Sequence, residues 1–187
     1  MIRTLFVIFM LVAVGNVHAA KVAGVELQES VSAGETELVL NGAGLRKKLF
    51  FKLYVGSLYV KQAMKGANAE SLVQADESML IQLDILSDLL TRDKLIKALN
   101  DGFDKSTGGN IAPVEEQVSI MIESLNQPIT PGDIYRIMYT PESGTTVMVG
   151  DQTLATLEGL PFKQAVFGIW LSKNPVQSSL KQAMLAQ

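Results

Sequence analysis

The chain of 187 residues has no cysteine and a single histidine, His18. The first absence excludes a disulfide framework, a thiolate nucleophile and a cysteine metal site. His18 lies in an N-terminal stretch that reads as a secretory leader: Arg3 is its one permanent cation, an apolar run follows from Leu5 to Val14, and Gly15 and Ala19 are small residues near the expected cleavage point. The pattern predicts a signal peptide over residues 1–19 and an exported domain over 20–187, with cleavage after Ala20 as the near alternative. Loss of the leader removes the histidine as well. A Ser-His-Asp triad, an imidazole zinc site and a histidine proton shuttle are then excluded too, and neither cofactor nor metal is expected.

Long uncharged runs are also scarce. The leader's apolar stretch is shorter than the roughly 20 residues of a membrane-spanning helix, no later segment supplies one, and no cysteine follows it to carry a lipid. The expected location is the bacterial periplasm, without a stable membrane anchor. Sixteen Lys and Arg face nineteen Asp and Glu, for a formal charge of -3, and loss of Arg3 makes it one unit more negative. Nucleic acid is therefore not expected as a partner. There is no repeat, low-complexity tract or long Pro/Gly linker, which points to one domain. Hydrophobic residues make up 48% of the chain. A domain of this length buries about 70% of its unfolded surface, and a large interior or an apolar pocket suits this composition.

The densest cluster of informative residues runs from Asn41 to Val60, NGAGLRKKLFFKLYVGSLYV. Gly42 and Gly44 predict a turn, and aromatic and β-branched residues predict a strand from Phe50 to Lys61. Arg46 then stands at the mouth of a strand. Facing inward, its guanidinium is a permanent, planar, five-donor cation suited to a carboxylate, enolate or phenolate. Facing outward, it joins Lys47 and Lys48 in a solvated basic turn.

Around this segment the pattern predicts strands near Val22–Leu27, at Glu37–Asn41 and at Met79–Ile85, and a short helix over Asn68–Ala75. Helical spacing recurs over Ser87–Lys105, with Thr91 as N-cap, and again after Pro113. A hairpin of Asp133–Thr140 and Thr145–Val149 is expected to precede a strand at Thr153–Leu157. Helices over Pro161–Leu171 and from Pro175 to Leu185 complete an α+β layout, an antiparallel sheet covered on one face by helices.

Three segments resemble the chalcone isomerase-like family, and in particular its exported bacterial members: Gly42–Lys48 running into Phe51–Val60, Gly132–Thr145, and Phe162–Leu171 followed by Pro175, Val176, Leu180 and Lys181. The resemblance implies an open-faced β-sandwich, a large antiparallel sheet layered with helices around a ligand cleft. In the plant enzymes of the family, a phenolate attacks an enone, and an arginine that corresponds to Arg46 aids the anionic oxygen. A threonine of their water network falls at Tyr54, and other polar residues of that site fall near Leu90, Lys97 and Ile169. The family's other known use is fatty-acid binding, in which an arginine and a tyrosine grip the carboxylate; Arg46 and Tyr54 preserve that pair.

The expectation is thus a non-catalytic protein that holds a small apolar or amphipathic acid, such as a fatty acid, through Arg46 and Tyr54. An intramolecular lyase acting on an enone or phenolic substrate is the alternative, and an envelope protein-interaction module is a third. Regular alternation puts Tyr54, Gly56, Leu58 and Val60 on one strand face together with Lys52, so that face could be partly solvated. Glu115, Glu116 and Asp133 read as helix-start and turn residues, Trp170 as core, Met121, Met138 and Met148 as core filler, and Lys97 as solvent-facing. Asp101 and Asp104 could offer oxygens to a hard cation but lack an EF-hand pattern.

Overall fold

The computed structural model describes residues 20–187, and the expected leader lies outside the described residues. Nine strands, β1 (Ala20–Val22), β2 (Val25–Leu27), β3 (Ser30–Ala33), β4 (Thr36–Lys48), β5 (Phe51–Val60), β6 (Met79–Ile85), β7 (Ile134–Thr140), β8 (Gly144–Val149) and β9 (Gln152–Leu157), are accompanied by five α-helices. These are α1 (Ala69–Gln74), α2 (Arg92–Ser106), α3 (Glu115–Ser124), α4 (Leu160–Leu171) and α5 (Ser178–Met184). Strands β3 to β9 form one antiparallel sheet in chain order. That is the expected α+β architecture.

The main core lies between one face of this sheet and the helices, and a smaller cluster of Ala33, Leu38, Tyr59 and Leu80 lies on the other face. The period-two alternation of β5 sends Tyr54, Leu58 and Val60 to the helix side and Tyr59 to the opposite side. Helix α4 is buried from Ala165 to Leu171, as befits a helix apolar on every side. It packs against both α1 and α2.

Two expectations about turns are corrected. The segment read as one strand near Val22–Leu27 is a small hairpin, because Ala23 and Gly24 take positive φ of 50° and 97° and reverse the chain. Gly42 and Gly44 are not a turn. They lie inside the thirteen-residue strand β4, where the absence of a side chain admits α5: a Cβ on Gly42 would stand 2.3 Å from the Ala183 carbonyl oxygen, and one on Gly44 2.5 Å from the Ala183 Cβ. Between Leu40 and Gly42 the register with β5 shifts, and Asn41 uses that irregularity. Its Nδ2 donates to the Met184 carbonyl at 2.8 Å while its Oδ1 accepts from the Gly66 amide at 2.8 Å. The chain actually reverses at Leu49 and Phe50, with Leu49 at φ 55°.

Helix α2 begins where its capping chemistry dictates. Thr91 caps α2 by accepting from the Lys94 amide, so the helix starts at Arg92 and leaves Leu89 and Leu90 in the preceding loop. Asp133 accepts from the Thr130 amide at 2.7 Å, the turn role expected of it. The end of α1 receives a partner that local sequence did not announce. Lys163 of α4, fully buried, donates its three ammonium protons to the carbonyls of Leu72 at 2.7 Å, Val73 at 2.9 Å and Ala75 at 2.7 Å, which satisfies acceptors that a helix end leaves open.

Candidate ligand-binding cleft

Arg46 and Tyr54 are direct cross-strand partners in the β4–β5 pair. Residues opposite each other in an antiparallel pair share a sheet face, so the two side chains project together toward the helix layer. Tyr54 is 5% exposed and does not cap the sheet edge. Lys52, which alternation placed on the same face, is exposed near the hairpin tip, and the register shift between Arg46 and Lys47 intervenes. The solvation that Lys52 suggested therefore ends before Tyr54.

The Arg46 guanidinium is held from one side only. Its Nη1 donates to the Lys47 carbonyl at 2.6 Å and to Gln177 Oε1 at 2.9 Å. Gln177 is itself fixed: Oε1 also accepts from the Lys47 amide at 3.0 Å, and Nε2 donates to the Leu45 carbonyl at 3.1 Å and to Ser179 Oγ at 2.7 Å. This leaves the Nε and Nη2 donors of Arg46, the edge whose geometry matches a carboxylate. Among the described residues, none of the ion pairs involves Arg46.

Tyr54 is completed by α4. The Trp170 indole Nε1–H donates to the Tyr54 hydroxyl oxygen at 3.1 Å, which leaves the hydroxyl proton to be given elsewhere. Burial pushes the phenol pKa up, opposed by the Trp170 hydrogen bond and by the nearby Arg46 charge. At neutral pH the group is therefore a neutral donor beside a fixed cation.

These two residues open into a cavity of about 330 Å³ whose remaining wall is mostly apolar, with Leu53 from β5, Leu90, Leu95 and Leu99 from the α2 region, and Ile169 and Trp170 from α4. Leu49 and Phe51 of the hairpin tip and the lysines Lys48 and Lys94 also line it, and among the described residues its lining contains no Asp, Glu or His. Wider surface grooves occur elsewhere, one of about 530 Å³ beside Glu29, Glu37 and Lys65, but none of them joins a cation and a buried phenol to apolar walls. Leu90 and Ile169 are cleft residues, whereas Lys97 is exposed and sits 3.5 Å from Asp101. Trp170 is core, as expected, and it is cleft wall and hydrogen-bond donor besides. Sequence reasoning missed Gln177 entirely, because nothing in its neighbourhood signals a contact with a strand 131 residues away.

The arrangement provides a cation, a neutral hydroxyl donor and apolar walls, and it offers no carboxylate or imidazole to carry a proton. It can bind an anion with an apolar body.

The family model described as chalcone isomerase-like matches residues 19–186. Among curated proteins no match is found. Among solved structures, the chain is similar to a fatty-acid binding protein of Arabidopsis thaliana, at 16% sequence identity and a TM-score of 0.68 over 87% of this chain and 92% of that one. The chain belongs to the chalcone isomerase-like family.

Proposed function

We propose that this chalcone isomerase-like protein is a non-catalytic carrier that binds a small amphipathic acid of the fatty-acid class. The observation that carries the reading is the cross-strand juxtaposition of Arg46 and Tyr54 at an apolar cavity. The open edge of Arg46 takes the carboxylate in charge-assisted hydrogen bonds, Tyr54 adds a third donor, and each methylene buried in the leucine-lined wall contributes about 0.8 kcal/mol. The cavity is near the small end of the roughly 300–1,000 Å³ typical of ligand pockets, which suits a short acyl chain or one whose end reaches the mouth. The likeness to a fatty-acid binding protein of Arabidopsis thaliana supports the class of ligand, although at 16% identity it shows the fold alone.

Cyclisation of an enone is disfavoured by the walls. Leu90 and Ile169 stand where the resemblance places polar groups, and loss of even one oxyanion donor lowers turnover by about 10²- to 10³-fold. We assign residues 1–19 to a cleaved leader and the mature domain to the periplasm, which N-terminal sequencing of protein recovered from osmotic-shock fluid tests directly.

Trp170 is the only tryptophan in the chain and lines the cavity, so its emission reports occupancy. Titration with saturated fatty acids of increasing length is expected to shift that emission saturably. Arg46→Ala is expected to weaken binding by roughly 10- to 100-fold, the scale of a lost charged hydrogen bond. Absence of binding by wild type would overturn the carrier reading, and equal binding by the variant would overturn the carboxylate assignment.

A further inference from the structure

The described residues expose five large hydrophobic side chains, of which Leu49, Phe51 and Leu89 line the cleft and Phe50 stands between the first two at the hairpin turn. Phe50 is 94% exposed and Leu49 83%. Folding does not account for them. Leu49 occupies a left-handed turn position, φ 55°, that glycine or asparagine would take with less strain, and neither side chain of the tip is covered by the core. A clustered apolar patch of this kind marks an interaction surface.

The charges around the tip select the partner. From Leu45 to Tyr54 the hairpin carries Arg46, Lys47, Lys48 and Lys52 and no acid, and Lys94 stands at the same mouth. The nearest acids along the chain on the α2 side are Asp88 and Asp93, of which Asp93 lies 3.8 Å from Arg92. The surface is therefore apolar at its apex and cationic behind it. Its shape is a convex two-residue turn, too small to supply the roughly 800 Å² per partner of a stable protein interface. A turn that places phenylalanine and leucine among acyl chains and lysines at headgroup level matches an anionic bilayer.

We propose that the Leu49–Phe51 tip docks the protein reversibly on an anionic phospholipid surface, with the cleft mouth facing the lipid. Docking stands on the tip alone. That it lets an acyl chain pass between bilayer and cleft without crossing water rests on the carrier reading.

Vesicle flotation separates the two. Wild type is expected to float with vesicles of equal parts phosphatidylcholine and phosphatidylglycerol, less with phosphatidylcholine alone, and less as salt is raised. Phe50→Ser is expected to lower partition to anionic vesicles roughly tenfold or more, and Lys47→Gln and Lys52→Gln about fivefold each. Phe50 does not line the cavity, so Phe50→Ser should leave the Trp170 response to a short-chain acid in vesicle-free buffer unchanged; that titration judges the carrier reading independently. Wild type that remains unbound, or binds as well after Phe50→Ser, overturns the docking. So does a patch consumed instead by self-association or by a protein partner, seen as a concentration-dependent dimer or as a complex in an envelope extract that Phe50→Ser abolishes while vesicle binding is absent.

Discussion

Lys163 and Arg46 are both cations drawn into the layer between sheet and helices, and they end in opposite circumstances. Every proton of the Lys163 ammonium is taken by a backbone carbonyl at the end of α1, with the Tyr139 and Phe167 rings at 5.7 and 5.5 Å. Arg46 spends one nitrogen on Lys47 and Gln177 and keeps the rest. A buried cation whose donors are all met by the protein closes a structure. One with donors left beside an apolar cavity is ready for a ligand. The contrast is sharper than burial alone would give, because the more deeply buried of the two is the one without a binding role.

Substitution should separate them. Lys163→Met fills similar volume but strips one buried and two partly buried carbonyls of their donor, and an unsatisfied buried polar group costs about 1–3 kcal/mol. A loss of about 3 kcal/mol or more in urea unfolding is expected, against under about 1 kcal/mol for Arg46→Ala, which should change acid affinity instead. Equal stability losses would erase the distinction. A smaller effect is expected at Gly42→Ala, where the new Cβ meets the backbone of α5. Overpacking of that kind costs about 1–3 kcal/mol, and because α5 begins beside Gln177, the variant should also loosen Arg46 and weaken acid binding several-fold. Calorimetric titration alongside denaturation would show whether the two losses travel together.

A further effect concerns pH. Burial pushes the Lys163 ammonium down to about 8, with Asp76 opposing. Between about 8 and its ordinary 10.5 the unfolded chain holds more protons than the folded one, so stability rises with pH there. The tyrosines act in the other sense. Burial raises all four, Tyr139 to about 12 with its hydrogen bond to Asp76 reinforcing the shift. Above 10 the unfolded phenols ionise first, and stability falls. Urea midpoints should therefore climb from pH 8 to about 10 and decline beyond, and Lys163→Met should flatten the climb alone.

Much of the fold was legible because its signals are local. The aromatic and β-branched run of β5, the Pro141–Gly144 hairpin turn and the apolar α4 each carry their periodicity within a dozen residues. Gly42 and Gly44 misled, since glycine serves equally for a tight turn and for close approach of another backbone, and only the position of α5 distinguishes the two. The candidate site was half legible. Arg46 and Tyr54 stand out by chemistry, but their pairing depends on register, which the irregularities at Leu40/Gly42 and Arg46/Lys47 alter. Gln177 and the hydrogen bond of Trp170 arrive from elements more than a hundred residues away.

By itself the sequence determined the inventory: a chain without cysteine, a strand-rich α+β pattern, one arginine close behind a pair of glycines, and apolar helical segments to cover the sheet. Tertiary structure decided the use of that inventory. It brought α5 onto bare glycine backbone, turned Lys163 into a helix cap, gave Arg46 a support on one side only, and left Leu49 and Phe50 bare at the cleft mouth. The division has a physical cause. Periodicity and propensity are properties of neighbouring residues, whereas the satisfaction of a polar group and the covering of an apolar one depend on which distant surface arrives beside it.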